Sequence, residues 1–323
     1  MNRRILILFA ACLLGFTLNT AARAAAVQQT PLSEVVNVEK GELQWLYNGR
    51  PLLVYVFATN QFKPYVRELY TLRGENMLRD APKDHLHHHG LMYAIRMNGV
   101  NFWEETGAPG VEKSVRLVSH KVGKGQCGLP EVSFTQLIHW VAFTNRQAAD
   151  SAAAAFLIEN RTLTLTVDEK NEEVALRWDA AFEVGKNVPR LEEFGSQYNG
   201  LGMRLPQSLD KTVQFQNSEN APYIGADSRN LIPAKWTSAS GPVDGKEVML
   251  ILFGHPKNDR GDGNFYSLSF PVFAYLSVTQ GLDKEPLVYS AGQKYRLRYL
   301  LTVYTAGKSR EFIERRAESW RKD

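Results

Sequence analysis

The residues best placed to do chemistry lie in Asp84-His85-Leu86-His87-His88-His89-Gly90, where four of the chain's seven histidines fall within five positions. Imidazole titrates near pH ~6.5, so a histidine can act as general acid or base near neutrality, and its neutral nitrogens ligate transition metals. Extending strand alternation back from Leu91-Met92-Tyr93-Ala94-Ile95-Arg96-Met97 puts His85, His87 and His89 on one face and His88 on the other. Imidazoles spaced two apart could hold a divalent transition metal, with Asp84 as a further ligand or orienting a ring. The compact pattern of HxH with a Glu shortly after it is absent, since the first acid beyond the cluster is Glu104. A metal-free polar site and an incidental solvated cluster are the alternatives.

Other residues could complete such a site. His255 follows the apolar run Glu247–Phe253 and opens the polar stretch Pro256-Lys257-Asn258-Asp259-Arg260, a strand end of the kind that presents functional groups. Asn258 and Arg260 are therefore candidate ligand-binding residues, against the simpler reading of a β-turn. Arg204 ends the apolar Gly200-Leu201-Gly202-Met203 and needs a partner if buried, for which a ligand carboxylate, Glu192 or Glu193 would serve. Trp103, beside Glu104 and Glu105, is the tryptophan best suited to stack on a ligand, and Glu104 is a candidate catalytic carboxylate. Trp45, Trp140, Trp178 and Trp236 read as core. His120 and His139 read as ordinary strand residues. No glycine-rich nucleotide loop and no Gly-x-Ser-x-Gly elbow occurs.

The elements that must position these residues are strands. About fourteen short β-rich runs follow one another, separated by turn signals such as Asn48-Gly49 and Asn98-Gly99. Thr162, Thr164 and Thr166 alternate with Leu163, Leu165 and Val167, as in an antiparallel sheet with one buried face. The Ala-rich stretch 145–155 reads as a loop or short helical turn. Only the C-terminus breaks the pattern: Ser309 could cap a helix over 309–321 that packs on a sheet. The expected fold is all-β, a large antiparallel sandwich with a short C-terminal helix.

The 323 residues carry a net charge of +4, which invites a nucleic-acid or membrane partner. The first 26 residues hold three arginines and no acid. Arg3-Arg4, the apolar run Ile5–Phe16 and small-residue sites at Ala24 and Ala26 form the pattern of a cleaved secretory signal. Residues 27–323 are expected to form one domain of 35 basic and 34 acidic side chains, nearly neutral, exported to the periplasm or beyond. That balance removes the electrostatic case for nucleic acid, and no membrane contact is expected beyond the signal. Cys12 leaves with the signal, so Cys127 has no internal partner and the core alone must stabilise the fold.

The blocks 63–105, Gly200–Pro206, Trp236–Pro242 leading to Phe253–Arg260, and Gly292–Tyr304 resemble the PmoA-like family of bacterial proteins of unknown function, from about Pro64 to Tyr304. The DHxHHxG core followed by NGVxFW is the specific part. Many members have Pro where this chain has Leu86 and Arg where it has His89, so the resemblance favours His85, His87 and His88. The methane-oxygenase label often given to members implies a polytopic membrane protein, which this chain contradicts. The resemblance implies a sandwich similar to the galactose-mutarotase-like supersandwiches, which hold a sugar with His, Arg and acidic side chains. The expected function is a carbohydrate-active hydrolase, lyase or epimerase using His87, His88, His255 and Glu104 as catalytic groups. Arg204, Trp103, Asn258 and Arg260 would bind the carbohydrate or glycoside, and His85, His87 and His88 any metal. A non-catalytic glycan-binding module and a metal-dependent oxidase or oxygenase are the competing classes.

Overall fold

Side-chain alternation with a period of two decides which face of each strand is buried. Along Leu157–Asp168, Leu163, Leu165 and Val167 are sealed in the interior, while Thr162 on the opposite face shares a 2.9 Å hydrogen bond with Thr135 of the neighbouring strand. The computed structural model describes residues 31–223, 231–270 and 273–323; the signal expected over residues 1–26 lies outside them.

The strands form three antiparallel sheets. The nine-stranded sheet runs in the order Leu32–Asn37, Glu42–Tyr47, Arg50–Val56, Tyr65–Leu69, Leu91–Ala94, Gly200–Arg204, Phe273–Thr279, Asn264–Phe270 and Leu231–Pro233. An eight-stranded sheet faces it, in the order Gln214–Asn217, Trp236–Val243, Lys246–Phe253, Lys294–Tyr304, Glu173–Val184, Leu157–Asp168, Pro130–Ala142 and Gly110–Lys124. A small sheet of Leu287–Ser290, Arg190–Phe194, Arg96–Met97 and Val100–Asn101 completes the set. The expected all-β sandwich is therefore what the chain forms. No helix among the described residues is long and apolar enough to cross a membrane.

Between the two large sheets lies the main core, with Trp45, Trp140, Trp178, Leu53, Leu91, Leu165, Leu201, Leu276 and Leu301 among its members. Each such side chain contributes about 1.5–3 kcal/mol through burial. The core also holds charge. Arg161, fully buried, donates to Glu159 from Nε (2.7 Å) and Nη2 (2.9 Å), to Glu112 from Nη2 (3.1 Å) and to the Pro64 carbonyl from Nη1 (2.8 Å). Burial, only partly offset by Arg161, pushes Glu112 up to about 8.

Asn48 and Gly49 take the positive φ values (49° and 76°) of a tight hairpin turn, as their types suggest. The run Leu91–Met97 behaves differently from its pattern. It breaks at Ile95, so that Leu91–Ala94 pairs within the nine-stranded sheet while Arg96–Met97 turns away into the small one. Corners of this kind divide the expected runs into more and shorter strands. The Ala-rich stretch forms two short 3-10 turns, Phe143–Ala148 and Ala152–Ala154.

Helix Arg310–Arg321 begins where Ser309 accepts from the Phe312 amide (3.3 Å). Ile313, Ala317 and Trp320 bury one face on the outer side of the eight-stranded sheet, against Trp236, Ile251, Phe253 and Tyr304. Trp320 Nε1 also donates to the Gly254 carbonyl at 2.7 Å.

Candidate functional site

The other face of the nine-stranded sheet carries a second apolar group: Val56, Tyr65, Met92, Ala94, Tyr266, Leu268 and Tyr275, joined by Trp103. A pocket of about 280 Å3 opens above them, lined by His85, His87, His88, Trp103, Glu104, Tyr198, Tyr266, Leu268, Phe273 and Tyr275. The absence of a side chain at Gly202 makes room for this floor, since a Cβ there would stand 1.9 Å from the Tyr275 hydroxyl. A larger open groove of about 410 Å3 lies over Asn160, Glu183, Lys294 and Arg296 of the eight-stranded sheet. Its charged side chains are ion-paired, Lys294 with Glu183 at 3.3 Å and Arg296 with Asp179, and it contains no imidazole.

The histidines enter the pocket from turns, not from a strand. The His85 amide donates to the Pro82 carbonyl (2.9 Å), the His88 amide to the His85 carbonyl (3.0 Å), and the Ala81 amide to the His88 carbonyl (3.0 Å). Turns that close over three residues bring positions three apart together. His85 and His88 accordingly stack at 4.6 Å and 29°, and His87 meets the His88 ring edge-on at 4.6 Å. This corrects the expected strand-face triad of His85, His87 and His89. It also bears on the expected metal site: among the described residues no group of three or more His, Cys, Asp or Glu is arranged to hold a metal ion. The Nδ1 atoms of His85 and His88 are instead engaged by Asp84 and Arg204.

His89 turns behind the pocket. Its Nδ1 faces Asp80 Oδ1 at 3.0 Å and its Nε2 faces Glu105 Oε1 at 3.1 Å, while its ring stacks on Tyr65 at 4.3 Å. Carboxylates only accept, so both nitrogens donate and the ring is an imidazolium. Burial lowers its pKa, but the bonds to Asp80 and Glu105 outweigh burial and raise it. Glu105 also receives Lys63 Nζ at 2.6 Å, and Lys63 donates to the Trp103 carbonyl at 3.2 Å. Burial works to raise the Glu105 pKa, but the His89 and Lys63 contacts prevail and lower it.

Arg204 is fully buried beneath the turn, with its guanidinium 4.3 Å from the Phe273 ring centre. Nη2 donates to Asp84 Oδ2 at 2.8 Å, and Nη1 lies 3.4 Å from His88 Nδ1. Asp84 Oδ2 also accepts from His85 Nδ1 at 2.8 Å. Glu192 and Glu193, the partners suggested by sequence, are engaged elsewhere, on Arg190 and Tyr295. Arg204 thus supports the pocket from behind and is not one of its lining residues. His88 is pushed down to about 2 by burial first, then by His87, His85 and Arg204. His87 is lowered by burial, then by Lys63 and His85. Glu104 lines the pocket and pairs with Arg96 Nη2 at 3.2 Å; burial would raise its pKa, but Asn101 and Arg96 hold it low.

The second sequence constellation follows strand Lys246–Phe253 of the eight-stranded sheet, away from the pocket. His255 is fully buried, packs edge-on against Trp320 at 5.0 Å, and accepts from the Lys257 amide at 3.1 Å. Asn258 ties down the Arg298 backbone in both directions, at 3.1 and 2.8 Å. Arg260 donates to the carbonyls of Gln280 (2.8 Å), Gly281 (3.1 Å) and Pro286 (3.1 Å). None of the three lines the pocket, so the expected convergence of His255, Asn258 and Arg260 with the histidine cluster is corrected. Sequence reasoning missed Tyr266, Phe273 and Tyr275, aromatic residues on strands, and Tyr198, in the turn before Gly200–Arg204; none carries a signal beyond being aromatic.

The chain belongs to a family of unknown function (DUF6807), whose profile matches residues 42–318. No curated protein matches it. Among solved structures it is similar to a GH36 α-galactosidase from Geobacillus stearothermophilus (12% identity, TM-score 0.44, covering 85% of this chain and 41% of the galactosidase). A second GH36 α-galactosidase of that organism, in complex with raffinose, is 15% identical with a TM-score of 0.39, covering 79% of this chain and 40% of its own. A GalM/aldose epimerase homologue from C. elegans is 9% identical with a TM-score of 0.31, covering 85% of this chain and 99% of its own. The chain thus spans about two fifths of the length of the galactosidases it matches.

Proposed function

We propose that the pocket binds one residue of a neutral carbohydrate and that its imidazoles move a proton on that ligand. One observation carries this reading: three imidazoles and the rings of Trp103, Tyr198, Tyr266, Phe273 and Tyr275 face a single pocket of about 280 Å3. Aromatic faces suit the C–H faces of a sugar, and ring nitrogens suit its hydroxyls. The volume is at the small end of the roughly 300–1,000 Å3 found for small-ligand sites, which favours a single sugar unit. Hydrolysis by the usual mechanism needs two carboxylates flanking the scissile bond. Among the described lining residues Glu104 is the one carboxylate, and Arg96 neutralises it. Epimerase or lyase chemistry, which requires proton transfer by groups such as His87 and His88, is therefore favoured over hydrolysis. The export signal of residues 1–26 and the PmoA-like resemblance belong to the same proposal, as a periplasmic or secreted protein acting on sugars.

The test is calorimetric titration of the full chain with D-glucose, D-galactose and their methyl glycosides, followed by NMR of each ligand in D2O. Saturable binding tighter than about 1 mM, weakened at least tenfold by His87→Ala and Tyr198→Ala, is expected for at least one sugar. Protein-dependent deuterium incorporation or isomer interconversion supports the enzyme. Binding without either change would replace it with a glycan-binding module, and no binding at all would overturn both.

A further inference from the structure

The Asp84–Arg204 ion pair touches two imidazoles, and the two contacts have opposite chemical sense. Asp84 Oδ2 can only accept, so at 2.8 Å it takes a proton-bearing Nδ1 from His85. Arg204 Nη1 can only donate, so at 3.4 Å it requires an unprotonated Nδ1 on His88. In a neutral imidazole the hydrogen bond at one nitrogen fixes the state of the other.

We infer that the Asp84–Arg204 pair sets opposite tautomers on the stacked rings of His85 and His88, presenting to the pocket an acceptor at His85 Nε2 beside a donor at His88 Nε2–H. The hydrogen bonds of both rings to the described residues are made through Nδ1, and both side chains line the pocket. The groups around His88 are His85, His87, Arg204, Asp84, Trp103 and Tyr275. Burial, with the Arg204 guanidinium beside it, favours the neutral ring, as the donor role requires. Asp84 and Arg204 are positioning residues.

This deepens the carbohydrate reading and rests on it for its use. A ligand matched to the pair is an open-chain sugar with a C–H next to its carbonyl. His85 Nε2 takes that proton, the C–H electron pair becomes the carbon–carbon π bond of an enolate as the carbonyl π pair moves onto oxygen, and His88 Nε2–H holds that oxygen by a hydrogen bond. Reversal returns the proton, so nothing is oxidised or reduced and no co-reactant is consumed. His85 thereby becomes the base, a role that neither its sequence position nor its spacing reveals.

The experiment is long-range 1H–15N correlation of the ligand-free full chain labelled at histidine, with His85 and His88 assigned by loss of signal in His85→Asn and His88→Asn. The expected spectrum near neutral pH shows His85 protonated at Nδ1 and His88 protonated at Nε2. The same tautomer on both rings, or a proton on His88 Nδ1, overturns the inference. Arg204→Met should convert His88 to a mixture of tautomers, and Arg204→Lys should restore the Nε2–H form. An unchanged His88 tautomer in folded Arg204→Met would remove Arg204 from the role. If that variant does not fold, the wild-type spectrum still decides the two tautomers. Because these readouts need no ligand, failure of sugar binding and failure of the tautomer assignment are separate results.

Discussion

Lys63 Nζ lies 2.6 Å from Glu105 Oε1, an ammonium almost wholly buried behind the pocket wall and paired with a carboxylate that also faces His89. The Arg161 bond to the Pro64 carbonyl fixes the chain next to Lys63 from inside the core, so the charged interior and the pocket wall share one support. Removing the ammonium leaves Glu105 short of a partner and frees the Trp103 carbonyl. Lys63→Met should cost about 3 kcal/mol of stability, the scale for breaking a buried pair, as read by urea unfolding. A loss below about 1 kcal/mol would assign the pair the weight of a surface contact.

Two neighbouring histidines should push the pH dependence of stability in opposite directions. His88 has its pKa depressed by burial, so below about pH 6.5 the unfolded chain binds a proton that the folded one refuses. Stability then falls on acidification by up to about 1.4 kcal/mol per pH unit from this group, and His88→Gln should flatten that fall. His89 has its pKa raised, so its contribution is complete below about pH 6.5 and is lost as pH rises through its folded value. His89→Gln should therefore cost more stability near pH ~5.5 than near pH ~8.5. Urea midpoints across that range check both, and equal costs at the two pH values would refute the imidazolium assignment.

Gly202 and Tyr275 form a steric pair across adjacent strands. A Cβ at position 202 would stand 1.9 Å from the Tyr275 hydroxyl and 2.8 Å from its Cζ. Gly202→Ala should cost about 1–3 kcal/mol and displace the tyrosine from the pocket floor. Adding Tyr275→Phe removes the nearest atom and should return part of that loss, a coupling measurable by a double-mutant cycle.

The C-terminal helix is bound through Trp320, which is buried against His255 and bonded to the Gly254 carbonyl. Trp320→Ala should cost about 3–5 kcal/mol. Because the helix packs on the sheet opposite the pocket, the folded variant should keep the ligand affinity of the parent, as measured by the same titration used above. A change in affinity tracking the loss of the helix would bring His255 back into consideration.

Periodicity and turn chemistry determined the class of fold. The Thr/Leu alternation of 162–167, the Asn-Gly hairpins and the Ser309 cap are local signals, and the strands, turns and helix they indicate are present. The sequence also marked the histidine cluster, because four imidazoles in five residues stand out from any background. What it could not supply was the partner of each ring. Strand alternation over His85–His89 would bring positions two apart onto one face, whereas the turns over Pro82–His88 bring positions three apart together and stack His85 on His88.

Long-range pairing decided the rest. Arg204 finds Asp84 from 120 positions away. His255 resembles a site residue by type and flanking sequence, yet its strand lies in the sheet across the core. Local sequence governs dihedral preference and which face of a strand is apolar. Which charged groups meet, and so which nitrogen of each histidine carries its proton, follows only from the packing that brings distant strands together.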